Sequence, residues 1–533
     1  MHILQSLIAP LPLLALSVQA HPAQEQQQQQ HHARTETIHW APCQKPNPTS
    51  MQCATLKVPL DYTDKKSTET VDLKLLRVPA AVKAPKKRSI LLNFGGPGAS
   101  GVDDFDYFAE RIQAATGGIH DLITFVPRGT NDTLPFSCYA DEVSRNIGTS
   151  ALTGNASDVA LGQVWAKATI FAETCHTAQN KTGNFIGTAF VARDMMRIVD
   201  ALGEDGMLRY WGVSYGSLLG STAVAMFPDK VDKVVLDGVV NPFEYYENRE
   251  VELLTDTDAS FLGFIKGCVA APKACPLAQN LTAAELENKL YDFFETLKQN
   301  PIPIPIPGFP GGGLILDSST VKYIIQSSLD FPSTWPGLSE TIHNLMTGNF
   351  SAFVSGDGGV PLLDGAGGHT EALQGIKCSD VRVHTPNLDD MRPLFEKRHK
   401  MGRFFGDVTD EMPARCAQWK LPAKERYMGD FKVKPKNPVL LIGNTHDPVT
   451  PLVSARNVSE TFEGSVLLHQ DSYGHDSLMQ GSLCTARAVR SYFVNGTLPK
   501  KGTKCEVKVP LFSGEEGWDE VVKQLKADPN ATN

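Results

Sequence analysis

The sequence predicts an α/β protein: a mostly parallel sheet flanked by helices, with a mainly helical insertion. In the first and last parts of the chain, short apolar runs alternate with runs that have helical spacing. Buried strands of a parallel sheet read as such runs, and helices connect them. The alternation stops over residues 244–436 and then returns. The predicted organisation is a core over 37–243, a helical cap over 244–436 and a second core part over 437–533.

Composition limits the class of partner. The 533 residues are 41% hydrophobic and 20% charged, with a formal net charge of −9. These proportions are typical of a globular protein. There is no Lys/Arg stripe with interleaved aromatic residues, so we expect no nucleic-acid partner. The oligomeric state is left open.

The N-terminus indicates export. Residues 1–20 are mostly apolar and end at Ala20, which is typical of a cleaved secretory signal. A membrane anchor is the alternative, but the run is short and contains Pro10 and Pro12. No other run is long and apolar enough to span a bilayer, so we expect no membrane partner. Residues 21–36 are rich in Gln and His, and we expect them to be disordered. The predicted location is extracellular.

Cysteines and glycosylation sequons agree with export. The ten cysteines contain no C-x-x-C pair, which favours disulfides over a zinc or redox motif. Pairing each cysteine with its neighbour in sequence gives five bridges, although the sequence leaves other connectivities open. N-x-S/T sequons, typical of a glycosylated secreted protein, begin at Asn131, Asn155, Asn180, Asn280, Asn349, Asn457, Asn495 and Asn530.

The predicted elements of the first core part follow in order. Alternating apolar and β-branched residues predict two early strands, and later apolar runs predict four more. The strands are "ATLKVPLDY", "VDLKLLRVPA", "RSILLNF", "HDLITFV", "LRYWGVS" and "DKVVLDGVV"; the helices are "TAFVARDMMRIVDALG" and "YGSLLGSTAVAMF".

The insertion and the second core part differ in pattern. Proline alternates from Asn300 to Pro307, which excludes a central strand and predicts an extended linker or loop. Strands are again predicted at "NPVLLIGN" and "GSVLLHQD".

Ser214 is the candidate nucleophile. "GVSYG", from Gly212 to Gly216, fits G-x-S-x-G, and a predicted strand precedes it while a predicted helix follows. In this setting the turn is sharp, its flanking residues must be small, and the serine hydroxyl projects above the sheet edge. A plain structural turn is the alternative interpretation.

A serine hydroxyl needs a base, and two later residues can supply the base and its acid. Asp447 follows an apolar strand, and His475 follows the next strand. Carboxyl ends of parallel strands share one edge of a sheet, where Ser214 is also expected. His475 would take the Ser214 proton, and Asp447 would orient the imidazole.

Four nearby residues compete for these roles. His446 adjoins Asp447, but its side chain should point elsewhere, and His469 lies within a predicted strand. Asp471 and Asp476 could replace Asp447, but neither follows the penultimate strand.

An oxyanion hole requires two backbone N–H donors. Tyr215 follows the nucleophile and should supply one. The loop "NFGGPGASG" should supply the other, with Gly96 favoured over Gly95. No phosphate-binding glycine motif and no metal-ligand spacing are present, so we expect no cofactor and no metal.

These segments resemble the secreted tripeptidyl and prolyl aminopeptidases, serine peptidases of the α/β-hydrolase fold. The matching motifs are "GGPGASG", "VPRGT", "ARDMMRIVDALGEDGMLRYWGVSYGS", "VVLDGVV", "GNTHDPVTP" and "GHDS", and residues 438–505 are similar to the family's tripeptidyl-aminopeptidase-like C-terminal region. The resemblance implies an α/β-hydrolase fold, the Ser214, Asp447 and His475 triad, and cleavage near a free N-terminus under a helical cap.

The chain departs from the family at two loops. Asn93 and Phe94 stand where prolyl aminopeptidases usually have His before GGPG, and Val126 and Asn131 replace an acid and a glycine around "PRGT". Arg128 is therefore expected to lack its usual partner and to do no more than support its loop.

The sequence does not decide which carboxylates would bind the substrate or which of three functions the protein has. An aminopeptidase must bind an ammonium group, and carboxylates can do so; the candidates are Glu244, Glu247, Glu250, Glu252 and Asp380, each of which could instead be a solvated acid. The favoured function is a secreted serine exopeptidase acting on peptides. A secreted carboxylesterase acting on small esters uses the same triad, and a binding module on an inactive hydrolase is the third alternative.

Overall fold

A computed structural model describes residues 37–43, 51–84, 88–306, 312–350 and 366–527, without the side chains of 366–369. The predicted signal (1–20), the segment predicted to be disordered (21–36), Pro307 and Asn530 lie outside these residues.

Twelve strands form in the described part of the chain. They are β1 (Ala41–Pro42), β2 (Gln52–Pro59), β3 (Thr70–Val78), β4 (Ile90–Asn93), β5 (Leu122–Phe125), β6 (Leu208–Val213), β7 (Val231–Asp237), β8 (Ile302–Pro305), β9 (Gly313–Leu316), β10 (Leu440–His446), β11 (Val466–Tyr473) and β12 (Lys504–Glu506). Every strand that the sequence predicts is present.

Ten of these strands form one sheet in the order β1-β2-β3-β5-β4-β6-β7-β10-β11-β12. The pairs β1/β2, β2/β3 and β3/β5 are antiparallel. From β5 to β12 every neighbouring pair is parallel. The carboxyl ends of β6, β7, β10 and β11 therefore meet at one edge of the sheet.

Helices account for most of the remaining described chain. They are Val102–Ala115, Glu142–Gly148, Ala160–Gln179, Thr188–Ala201, Tyr215–Met226, Pro242–Tyr246, Thr257–Ala270, Ala283–Gln299, Ser318–Leu329, Trp335–Thr347, Ala366–Asp380, Leu388–Met401, Glu411–Ala417, Leu452–Ser459, Leu483–Asn495 and Trp518–Ala527, with short 3₁₀ turns at Pro228–Lys230, Glu252–Leu254 and Pro332–Thr334. None of them is both long and apolar enough to cross a bilayer.

The sheet has a hydrophobic core on each face, because side chains alternate along a strand. On β6, Tyr210 joins one core with the helices 188–201, 215–226 and 452–459. Its neighbour Trp211 joins the other core with the helices 102–115, 483–495 and 518–527. This layering is the α/β-hydrolase fold that the sequence predicts.

Where it is described, the chain between β7 and β10 is mainly helical. It supplies most of a third apolar cluster, including Phe261, Phe294 and Trp335, which Phe512 joins from the second core part. The proline-rich segment is not a loop here. β8 pairs antiparallel with β9 in a separate two-stranded sheet. Proline is tolerated in an edge strand when its missing N–H faces away from the partner. The exclusion of a central strand was right, and the prediction of a linker was wrong.

The predicted disulfides are present, and of the connectivities left open by the sequence the structure has the pairing of sequence neighbours: Cys43–Cys53, Cys138–Cys175, Cys268–Cys275, Cys378–Cys416 and Cys484–Cys505.

Arg128 has a partner elsewhere in the chain, Asp194, which the sequence did not predict. Its guanidinium is fully buried and donates to both carboxylate oxygens of Asp194, at 2.6 and 2.9 Å. It also donates to the backbone carbonyls of Pro59 and Leu60. Asp194 lies on the helix Thr188–Ala201. Because Arg128 bonds both to Asp194 and to the Pro59 carbonyl, its side chain links that helix to the end of β2.

Candidate active site

Ser214 lies in a sharp turn between β6 and the helix Tyr215–Met226. Its backbone has φ 57° and ψ −127°, a strained conformation for a residue with a side chain. The Ser214 N–H donates to the carbonyl of Asp237 at 2.9 Å, and the Ser217 N–H and hydroxyl both donate to the Ser214 carbonyl. This is the strand–turn–helix setting that G-x-S-x-G predicts.

The flanking glycines are required by close backbone contacts. A Cβ on Gly212 would lie 2.2 Å from the carbonyl oxygen of Gly216. A Cβ on Gly216 would lie 2.2 Å from the carbonyl oxygen of Asn93, at the end of β4. No side chain fits at either position without moving the backbone.

Asp447 follows β10 and is fully buried. Its Oδ1 accepts the backbone N–H groups of Val449 and Thr450, at 2.9 and 2.7 Å. Its Oδ2 accepts the Thr450 hydroxyl at 2.7 Å and the Asp476 N–H at 3.0 Å. Burial would raise the pKa of Asp447, but the charge of His475 and these hydrogen bonds hold it below its usual range. Asp447 is therefore an ionised, firmly held carboxylate.

His475 lies in the loop after β11, with its Nδ1 atom 3.1 Å from Asp447 Oδ1 and 3.2 Å from Oδ2. Thr450 Oγ1 is also 3.1 Å from this nitrogen. Burial would lower the pKa of His475, but the carboxylate of Asp447 outweighs burial and raises it, with Asp330 and Asp476 acting in the same direction. An imidazole held through Nδ1 by a carboxylate can present Nε2 as a base.

Asp237, at the end of β7, connects the serine turn to the histidine loop. Its backbone carbonyl accepts the Ser214 N–H. Its carboxylate accepts two hydrogen bonds from Ser477, which lies two residues beyond His475. One comes from the Ser477 N–H at 3.0 Å and the other from the Ser477 hydroxyl at 2.5 Å. Asp237 is fully buried, and its hydrogen bonds thus hold both the Ser214 turn and the His475 loop at the end of β7.

The loop after β4 lies against the serine turn. A Cβ on Gly95 would be 2.8 Å from Ser214 Cβ and 2.9 Å from the Tyr215 nitrogen. The Gly95 N–H donates to Asn93 Oδ1 at 3.1 Å, whereas Gly96 is exposed. Tyr215 is the first residue of its helix, where the N–H has no intrahelical acceptor. The Gly95 N–H thus already has an acceptor, and Gly96 and Tyr215 stay the predicted oxyanion donors.

The competing residues have other contacts. The His446 ring stacks on Tyr473 with centroids 4.5 Å apart. His469 lies in β11, with its Nε2 atom 2.7 Å from the Thr445 hydroxyl. Asp471 pairs with Lys504 at 2.9 Å. Asp476 contributes its N–H to Asp447, while its own carboxylate accepts the Leu478 N–H.

The five carboxylates considered for ammonium binding already have partners. Glu250 pairs with Lys377, and Glu247 lies 3.4 Å from Arg382. The remaining three accept hydrogen bonds: Glu244 from the Glu252 N–H, Glu252 from the side-chain amides of Asn241 and Asn457, and Asp380 from Thr188 and Tyr245. Asp380 is fully buried, and burial raises its pKa to about 7.

Sequence reasoning missed Asp237, Thr450 and Asp330. Thr450 and Asp237 lie within "HDPVT" and "VLDG", so their positions at strand ends were a usable signal. Asp330 follows the helix Ser318–Leu329 and gives no such signal. Among the described residues, no three His, Cys, Asp or Glu side chains gather as a metal site.

Two family models match parts of this chain. A family model described as alpha/beta hydrolase fold matches residues 82–331. A second model, described as TAP-like protein, matches residues 402–505, which include Asp447 and His475.

Three relatives match most of the chain. Serine protease Hip1 of Mycobacterium tuberculosis is 27% identical over 487 residues, covering 88% of this chain and 91% of that protein. Tripeptidyl aminopeptidase of Streptomyces lividans is 26% identical over 480 residues, covering 86% and 84%. Carboxylesterase B of Mycobacterium tuberculosis is 28% identical over 480 residues, covering 85% and 86%.

The fold and these matches define the class: the chain is a serine hydrolase of the α/β-hydrolase fold. Within that class its sequence is similar, over most of its length, to proteins named serine protease Hip1 and tripeptidyl aminopeptidase.

Proposed function

We propose that the protein is a secreted serine exopeptidase that releases residues or short peptides from free N-termini, with Ser214, His475 and Asp447 as its catalytic triad. The observation that carries this proposal is the pairing of His475 with the fully buried Asp447. Asp237, at the end of β7, hydrogen-bonds both to the loop that carries His475 and to the strained Ser214 turn. The names of two relatives, a serine protease and a tripeptidyl aminopeptidase, support peptide substrates.

In the proposed mechanism, His475 Nε2 accepts the Ser214 proton as the hydroxyl oxygen attacks the scissile carbonyl carbon. The Gly96 and Tyr215 N–H groups stabilise the resulting oxyanion. His475 then protonates the leaving amine, and an acyl-enzyme remains on Ser214. Water deprotonated by His475 hydrolyses that ester. Asp447 holds the ring orientation and stabilises the imidazolium in both halves.

The alternative is a carboxylesterase acting on small esters, and the relative named Carboxylesterase B favours it. The same residues cleave both bond types, so substrate data must separate the two functions.

The test uses 4-nitroanilides of one, two and three alanines, each with a free or an acetylated N-terminus, and the matching 4-nitrophenyl esters. We expect free-amine anilides to be cleaved and their acetylated forms to be inert. The length that reacts best gives the number of residues released. Cleavage of esters alone would favour the carboxylesterase, and cleavage of acetylated anilides would contradict the requirement for a free N-terminus. The Ser214→Ala variant is the control for contaminating activity.

Secretion and glycosylation are further parts of the proposal. Five disulfides favour an oxidising compartment. All seven sequon asparagines within the described residues are exposed, from Asn131 to Asn495. N-terminal sequencing of protein secreted by a eukaryotic host should begin after Ala20, and peptide N-glycosidase should reduce its mass. We further propose that the helical segment over 244–436 covers the site as a cap.

A further inference from the structure

A chain of buried hydrogen bonds connects the helical segment to the residue that follows Ser214. The hydroxyl oxygen of Tyr215 lies 2.6 Å from Oγ1 of Thr188, the first residue of the helix Thr188–Ala201. The Thr188 hydroxyl in turn donates, at 2.5 Å, to Oδ2 of Asp380, the last residue of the helix Ala366–Asp380. Three segments that are distant in the sequence therefore meet at the Tyr215 side chain.

The Asp380 carboxylate holds Thr188 with both of its oxygens. Oδ1 accepts the Thr188 N–H at 2.9 Å, and Oδ2 accepts the Thr188 hydroxyl together with the Tyr245 hydroxyl, the latter at 3.2 Å. A hydroxyl group has one proton to donate. Because Thr188 donates its proton to Asp380, its oxygen is left to accept the hydroxyl proton of Tyr215. The carboxylate thus sets the direction of both bonds in the chain.

These side chains are buried. Thr188 and Asp380 are fully buried, and Tyr215 and Tyr245 are at most 4% exposed. A Cβ on Gly187 would lie 3.0 Å from Asp380 Oδ1, so the backbone before Thr188 is also packed against the carboxyl group. A buried polar network in which every bond is made is rigid. A carboxyl group that is closed to solvent can act on the reaction only through its neighbours.

We propose that Asp380 is a positioning residue that holds the Tyr215 side chain through the Thr188 hydroxyl and so fixes the Tyr215 N–H that donates to the oxyanion. This inference rests on the proposed function and adds a residue to its site. The N–H and the anchored side chain of Tyr215 share one Cα, so an anchor on the side chain limits movement of the donor. Catalytic groups have to be held within about 0.5 Å of their productive positions.

The variants break the chain at each of its links with little change in shape. Thr188→Val removes the hydroxyl, and Thr188→Ser keeps it. Tyr215→Phe removes the hydroxyl and keeps the ring. Asp380→Asn keeps an oxygen for the Thr188 N–H but places an NH₂ group where the Thr188 and Tyr245 hydroxyls donate.

Tyr492→Phe is the matched control, because it also removes the hydroxyl of a buried tyrosine. The Tyr492 hydroxyl donates to the Pro438 carbonyl at 2.7 Å and accepts the Val234 N–H at 2.9 Å. Pro438 precedes β10, whereas Asp447 follows it. The control therefore loses two buried hydrogen bonds without touching the chain from Asp380 to Tyr215.

The assay is kcat and KM on the best anilide and on the best ester, together with thermal melting. A second readout is the inhibition constant of phenyl trifluoromethyl ketone. The Ser214 oxygen adds to the carbonyl carbon of this ketone while His475 takes the hydroxyl proton, and the adduct carries an oxyanion.

We expect Thr188→Val, Tyr215→Phe and Asp380→Asn to lower kcat by about tenfold, which is less than the ~10²–10³ lost with a whole oxyanion donor. KM should stay within about twofold, because the oxyanion forms only after the substrate is bound. The inhibition constant of the ketone should rise as kcat falls. Thr188→Ser and Tyr492→Phe should keep kcat within about twofold, since the donor stays in place.

A double variant tests whether Asp380 acts through Tyr215. Asp380→Asn added to Tyr215→Phe should lower kcat by less than about a further twofold, because the chain is already broken. If Asp380→Asn does not fold, the same comparison is made with Thr188→Val in its place.

Three results would overturn the assignment: an unchanged kcat in folded Thr188→Val and Tyr215→Phe, an equal loss of kcat in Tyr492→Phe, or multiplied losses in the double variant. Failure of the proposed function has a different signature. If esters are cleaved and anilides are not, the enzyme is an esterase, and a lower kcat of the same variants on esters still supports the role of Asp380. Full activity in Ser214→Ala would overturn the site and this inference together.

Discussion

Replacing Asp447 with Asn gives the sharpest test of how the acid works. The best orientation of the new amide keeps its oxygen where two backbone N–H groups converge, from Val449 at 2.9 Å and Thr450 at 2.7 Å. The NH₂ group, in the place of Oδ2, then faces the Asp476 N–H, now unpaired, and His475 Nδ1 at 3.2 Å.

That NH₂ group donates to Nδ1, so the imidazole proton moves to Nε2, the nitrogen that must act as the base. A wrong tautomer of this kind lowers kcat by about 10⁴ in a well-studied serine protease, which corresponds to about 5.5 kcal/mol. The unpaired N–H of Asp476 should reduce the free energy of unfolding by about 1–3 kcal/mol. The loss of activity therefore greatly exceeds the loss of stability.

The assay is kcat on the best chromogenic substrate at neutral pH, together with thermal melting. Asp471→Asn is the matched control, because this acid lies on the adjacent strand, pairs with Lys504 and accepts the Thr445 hydroxyl. Its kcat should stay within about twofold of wild type, as is usual for an exposed ion pair. A kcat for Asp447→Asn within about tenfold of wild type would refute the reasoning on the tautomer.

Three further outcomes are expected. Nearby carboxylates raise the pKa of His475 above 6.5. As the pH drops through this raised pKa, the base becomes protonated, so kcat/KM should fall. A pH profile in which kcat/KM falls only below pH 6 would contradict this. Gly216→Ala forces a Cβ to 2.2 Å from the Asn93 carbonyl and should abolish activity or folding. Gly162→Ala, at an exposed helical position with nothing within 4 Å, should match or exceed wild-type stability. Equal melting curves for the two variants would refute the steric reasoning. Arg128→Met removes the charged partner of the buried Asp194 carboxylate and should lower the free energy of unfolding, measured with urea, by about 3–5 kcal/mol. Adding Asp194→Leu in a double variant should restore much of that free energy. Additive losses from the two substitutions would show that the ion pair is not the cause.

The sequence predicted the elements whose signal is local. Continuous apolar runs predicted β4, β5, β6, β7, β10 and β11, and the glycines around Ser214 predicted the turn. Both predictions succeeded because a buried strand and a tight turn depend on residues that are neighbours in the sequence. The sequence left the connectivity of the ten cysteines open, and the structure has the pairing of sequence neighbours among the possible ones.

Contacts between distant segments could not be predicted in this way. Arg128 and Asp194 are 66 residues apart, and Arg145 meets Glu371 across 226 residues. Nothing in the local sequence distinguishes Asp330, without a partner for Oδ1, from Glu250, which pairs with Lys377. The β8–β9 hairpin was missed because proline argues against a strand unless the strand lies at an edge.

The most direct test of the account is covalent labelling with a fluorophosphonate, followed by peptide mapping by mass spectrometry. The account predicts one phosphonate per chain, attached to Ser214. Labelling should disappear in Ser214→Ala and slow strongly in His475→Ala, with both variants melting as the wild type does. Stoichiometric labelling of another serine, or full hydrolytic activity in Ser214→Ala, would contradict it.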